Sequence, residues 1–76
     1  MRIEILGTGC TKCKKLEANV REAVKNLSLD AEIVKVQEME KILDYGVMSL
    51  PGIVVDDEVR STGKLLSADE VVALLG

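Results

Sequence analysis

The chain changes its hydrophobic period once near its start, and this constrains the fold more than any other feature. Met1, Ile3 and Ile5 alternate with Arg2 and Glu4 across residues 1–6, the two-residue repeat of a strand. Gly7-Thr8-Gly9 breaks that repeat. From about residue 11 to residue 27 the apolar positions are Cys13, Leu16, Val20, Ala23, Val24 and Leu27, spaced as on one side of a helix. The opposite side is charged, and Glu17 and Arg21 form a favourable pair one turn apart. A strand therefore passes through a glycine turn directly into an amphipathic helix.

The later segments repeat this alternation of element types. Ser28-Leu29-Asp30 makes a turn, and Ala31 to Val36 reads as a second strand. Glu38 to Tyr45 predicts a short helix with Met39, Ile42 and Leu43 sharing one side, ended by Gly46. Val47 to Gly52 is an irregular loop holding the only proline, Pro51. Ile53-Val54-Val55 and Glu58-Val59-Arg60-Ser61 flank Asp56-Asp57 and predict a hairpin with a two-residue turn. Ser67, with Glu70 three positions on, is a capping box for a last helix through Leu75. The order β-α-β-α-β-β-α predicts a single α/β domain over residues 1–76. It has a four-stranded mixed sheet, a parallel crossover first and an antiparallel hairpin last, with helices on both faces.

Composition removes several classes of function. A 76-residue domain buries only about 60% of its chain's surface. Its core must be aliphatic, because Phe and Trp are absent and Tyr45 is the only aromatic residue. A net charge of −3 argues against binding nucleic acid through phosphates, and the lack of aromatic platforms argues against base stacking. No apolar run approaches the roughly 20 residues that cross a bilayer. The opening residues are too short and too charged for a signal peptide, so cytoplasmic residence is expected. A monomer without a cofactor is the simplest expectation.

Both cysteines lie in Cys10-Thr11-Lys12-Cys13. A disulfide closing so short a loop removes little entropy from the unfolded chain, so the pair points to chemistry rather than to stapling. Cys10 falls where the glycine turn meets the helix, where unpaired N–H groups and the positive end of the helix dipole favour a thiolate. Cys13 comes one turn later at the head of the apolar stripe and is expected to be the more buried sulfur. That asymmetry suits thiol–disulfide exchange, with Cys10 as nucleophile and Cys13 as resolving thiol. The alternative is a Cu(I)-binding, metallochaperone-like module using the same two thiolates, since soft ligands select that ion. No other Cys and no His is present to complete a tetrahedral zinc site.

Two families resemble the sequence. Up to Cys13 it looks like the small copper-chaperone domains, which share Gly-x-x-Cys-x-x-Cys at a strand-to-helix turn. Their order, β-α-β-β-α-β, ends on a strand, whereas this chain ends on a capped helix. The thioredoxin superfamily matches more of the chain. Tyr45-Gly46 followed by Leu50-Pro51 and the strand Ile53-Val54-Val55 is similar to the thioredoxin segment that contains a cis-proline. The opening Gly7-Thr8-Gly9-Cys10-Thr11-Lys12-Cys13 is like that of small redox-active disulfide proteins.

The resemblance implies that Leu50–Pro51 is cis and faces the cysteine pair, and that the Leu50 backbone pairs with a bound substrate like an added strand. It also implies a disulfide-containing protein substrate and a reductase that recycles the pair. Thioredoxins carry a buried acid six positions before the first cysteine, which here is Glu4. Alternation sets Glu4 opposite Ile3 and Ile5 and predicts a solvated strand residue instead. Gly9, Thr11-Lys12 and Gly52 replace the Trp, the Gly-Pro and the larger residue usual in thioredoxins, so the reduction potential does not carry over.

Overall fold

The structure, a computed structural model, describes residues 1–9 and 11–75; Cys10 and Gly76 lie outside the described residues. β1 (Arg2–Leu6) leads to α1 (Thr11–Asn26), β2 (Glu32–Val36), α2 (Met39–Asp44), β3 (Gly52–Val55), β4 (Glu58–Thr62) and α3 (Ala68–Leu75). The sheet order is β2-β1-β3-β4. β1 runs parallel to β2, from Arg2 opposite Glu32 to Leu6 opposite Val36, and antiparallel to β3, from Ile3 opposite Val55 to Leu6 opposite Gly52. The predicted α/β order and mixed sheet are those observed.

The alternation of β1 sorts the core between two faces. Ile3 and Ile5, with Ile53 and Val55, pack under Leu16, Val20 and Ala23 of α1 and Val71 of α3. Leu6 and Val54 face the other way, towards Val36, Ile42 and Val47. Helices thus cover both faces, but unequally. Met39 and Leu43, which helical spacing groups with Ile42, are 50% and 58% exposed, and in α2 Ile42 alone is buried. The cause is geometric. A helix of six residues lays less than two turns on the sheet, and Ile42 with Val47 already fills the strip offered by Leu6, Val36 and Val54.

Local chemistry fixes the element ends. Gly46, at φ 74°, donates its N–H to the Leu43 carbonyl (2.8 Å) and stops α2. Asp56 and Asp57 both take positive φ, 48° and 69°, as the tight hairpin turn requires. Asp56 adds a clamp that the turn sequence alone did not suggest. Its carboxylate accepts the Arg2 N–H, and its own N–H donates to the Arg2 carbonyl, each at 2.8 Å. The capping box forms in both directions: Glu70 N–H to Ser67 Oγ at 3.2 Å and Ser67 N–H to Glu70 Oε1 at 3.1 Å. Asn19 Nδ2 donates to the Leu66 carbonyl (2.8 Å) and ties α1 to the entry of α3. No helix among the described residues is long and apolar enough to cross a membrane.

Candidate functional site

The glycine turn is built around Cys13. β1 ends at Leu6, but Gly7 still donates its N–H to the Val36 carbonyl (3.0 Å), so the chain leaves the sheet only after it. α1 begins at Thr11, which puts Cys13 in the first turn on the buried side, 6% exposed. The side chain presses on Gly7. A Cβ at Gly7 would overlap the Cys13 sulfur and lie 2.9 Å from the Cys13 Cβ. Gly7 is therefore a close-approach glycine, whereas Gly9, at φ 85°, serves the turn itself. The expectation for Cys10 falls on a residue outside those described.

The proline segment meets the same end of the sheet. The Leu50–Pro51 peptide bond is cis, and Pro51 is fully buried. Gly52, the residue after Pro51, pairs with Leu6, the residue before Gly7, at the end of the sheet where α1 starts. The Pro51 carbonyl accepts the Gly63 N–H at 2.8 Å. A Cβ at Gly63 would sit 2.9 Å from the Ser49 Cβ, so the loop before Pro51 closes against this glycine. Leu50 is half-buried against the α2-side cluster. Met48, in the same loop, is 93% exposed. The fold thus gathers Cys13, Gly7 and Pro51 at one end of the sheet, with Leu50 next in chain.

Beside Cys13 lies a cleft of about 40 Å³, lined by Gly7, Gly9, Cys13, Glu17, Lys35 and Gln37 among others. Glu17 is doubly held there. Lys35 Nζ lies 3.1 Å from its Oε1, and Arg21 Nη2 2.9 Å from its Oε2. Burial acts to raise the Glu17 pKa, but the hydrogen bonds and charges of Lys35 and Arg21 outweigh it and hold the carboxyl below its usual range. The sequence showed only the Arg21 half of this arrangement, because Lys35 arrives from another element.

Glu4 is not the solvated strand residue that alternation predicts. It is 7% exposed, and its carboxylate accepts a hydrogen bond from the Tyr45 hydroxyl, with Arg2 Nη2 at 3.8 Å. Its face of the sheet is covered by α2, and Tyr45, the C-cap of that helix, closes over it. The carboxyl therefore lies across the sheet from the α1 face, to which Cys13 belongs. Tyr45 is correspondingly hard to ionise. The hydrogen bond to Glu4, then burial and the charges of Glu4 and Asp57, push its pKa up to about 12 despite Arg2.

Tyr45 is the only aromatic residue, so near-ultraviolet tyrosinate absorbance reads it alone. A midpoint of about 12 is expected, falling back towards 10 in Glu4→Gln. A midpoint of 10 in the parent protein would remove the contact. The folded-state value exceeds the unfolded one, so the stabilisation is full below pH 10 and is lost as pH rises towards 12.

Comparison with known proteins agrees with this architecture. Residues 1–76 match a family model described as a thioredoxin domain. The chain is 48% identical over 75 residues to thioredoxin of Methanothermobacter thermautotrophicus, covering 99% of this chain and 97% of that one. It is 44% identical over 69 residues to thioredoxin of Methanocaldococcus jannaschii, covering 91% and 79%. A solved chain described as the structure of a malarial protein superposes with a TM-score of 0.72 at 16% identity, over 97% of this chain and 91% of that one; it supports the fold alone. The copper-carrier alternative is not favoured, because the chain runs β-α-β-α-β-β-α and ends on a helix. Strand order, element order and a match along the whole length agree, and the chain belongs to the thioredoxin family.

Proposed function

We propose that this protein is a thiol–disulfide oxidoreductase that reduces disulfides of protein partners through a Cys10/Cys13 dithiol–disulfide cycle. The observation that carries the reading is the buried Cys13 in the first turn of α1, held against Gly7, in a chain of the thioredoxin family. In the cycle the Cys10 thiolate attacks a partner disulfide, and one partner sulfur leaves as a thiolate and takes up a proton. Cys13 then loses its proton and attacks the Cys10 sulfur. The bond from Cys10 to the partner breaks, its electron pair stays on the departing sulfur, and the Cys10–Cys13 disulfide remains.

Leu50 and Pro51 form the docking edge, with the Leu50 backbone pairing to the partner as an added strand and the Pro51 ring presenting no N–H. A reductase returns the pair to the dithiol. Residues 1–76 act as one thioredoxin-like domain, monomeric, cytoplasmic and without a cofactor.

The test is thiol trapping in graded thiol–disulfide buffers with single-cysteine controls. Wild type is expected to close a reversible intramolecular disulfide with a midpoint below about −220 mV, the range of a cytoplasmic reductant. Cys13→Ser is expected to accumulate mixed disulfides with protein partners, and Cys10→Ser to accumulate none. A wild-type chain that closes no internal disulfide sinks the cycle.

A further inference from the structure

Glu17 and Lys35 share the small cleft with Cys13, yet the cycle as written gives neither a part. Glu17 follows Cys13 by four residues and so lies on the same side of α1 one turn on. Lys35 reaches it from β2 at 3.1 Å. Among the described residues the other charged groups are Arg21, on the far carboxylate oxygen, and Lys14, which also lines the cleft; β1 contributes Ile5, the turn contributes Gly7 and Gly9, and Gln37 is neutral. About 40 Å³ holds a water molecule but no organic ligand.

Two roles for Glu17 can be separated by basicity. As a base it would take the Cys13 proton directly. A thiol is ordinarily far less acidic than a carboxyl. Lys35 and Arg21 outweigh burial and hold the Glu17 carboxyl below its usual range, which makes it a still weaker acceptor for a thiol proton. Its charge acts without any such transfer.

We propose that Lys35 and Glu17 are positioning residues for Cys13, the Lys35 ammonium favouring the Cys13 thiolate and the Glu17 carboxylate restraining that cation. The proton leaves through water in the cleft to solvent, and the thiolate so formed makes the bond to the Cys10 sulfur while the partner sulfur departs with its electron pair. The inference rests on Cys13 being the resolving sulfur and names what governs its ionisation.

The experiment follows Cys13 thiolate absorbance against pH in a Cys10→Ser background, where it is the only thiol. Glu17→Gln is expected to raise the thiolate fraction at fixed pH by about threefold or more, and Lys35→Met to lower it by a similar factor. The double variant returns close to the parent. Lys35→Gln repeats the downward change without the apolar stem. Two single variants that leave the midpoint unmoved, or move it in the same direction, overturn the proposal; the latter is what mere loosening of α1 from β2 would produce. The titration requires no turnover, so its result is independent of whether wild type closes a Cys10–Cys13 disulfide, which the trapping experiment decides.

Discussion

Leu16→Ala is expected to remove about 2–5 kcal/mol of folding stability, the cost of deleting a buried leucine and leaving its cavity. Leu16 is fully buried between α1 and the face formed by Ile3, Ile5, Ile53 and Val55. A domain of 76 residues has about 4–11 kcal/mol in total, so this change takes a large share of it. The effect reaches the site because Leu16 follows Cys13 by one turn and holds down the same end of α1. Urea denaturation checks it: the midpoint falls while the slope stays constant. A loss below about 1 kcal/mol would mean that α1 does not rest on the sheet through this side chain.

The second large effect belongs to Gly7→Ala. One added methyl would overlap the Cys13 sulfur and come within 2.9 Å of its Cβ. Rotating the sulfur relieves the first conflict but not the second, because the Cβ is fixed to the helix backbone. α1 must shift, which costs about 1–3 kcal/mol by the usual scale of overpacking. If Cys13 resolves the mixed disulfide, the same shift is expected to slow turnover by more than about tenfold, since sub-ångström placement governs an intramolecular attack. Insulin-disulfide reduction and urea unfolding, run on the same preparation, read both effects. An alanine variant with parental stability and parental rate would show that Gly7 and Cys13 are not in contact.

Short-range patterns carried most of the fold into view. The shift from period two to period 3.6 marked β1 and α1, and the Ser67–Glu70 box formed both of its hydrogen bonds. Asp56-Asp57 was a weak turn signal, yet the hairpin closed there, because Asp56 is also held by both backbone groups of Arg2. The cis Leu50–Pro51 bond was legible only through the family resemblance.

What escaped the sequence depends on distant residues. Alternation gives the face on which Glu4 lies but not what covers that face, and its partner Tyr45 comes 41 positions later. Met39 and Leu43 followed helical spacing correctly, but the strip beneath α2 was already filled. Gly7 read as a strand breaker because nothing local shows a cysteine six positions on pressing against it. Glu17 had an obvious partner at one turn's distance, which hid the one on β2.

The unequal cover of the sheet divides the molecule into a side that resists change and a side that accepts it. Beneath α1 and α3, nearly every inward side chain is locked among neighbours from several elements. Over the other face α2 contributes a single buried residue, and Met39, Glu40, Lys41, Leu43 and Asp44 all look outward. Those five positions can be rewritten in charge and shape with little effect on the frame that carries Cys13. Substitution there could therefore change the charge and shape of the α2 side while the frame around Cys13 stays unaltered on the other.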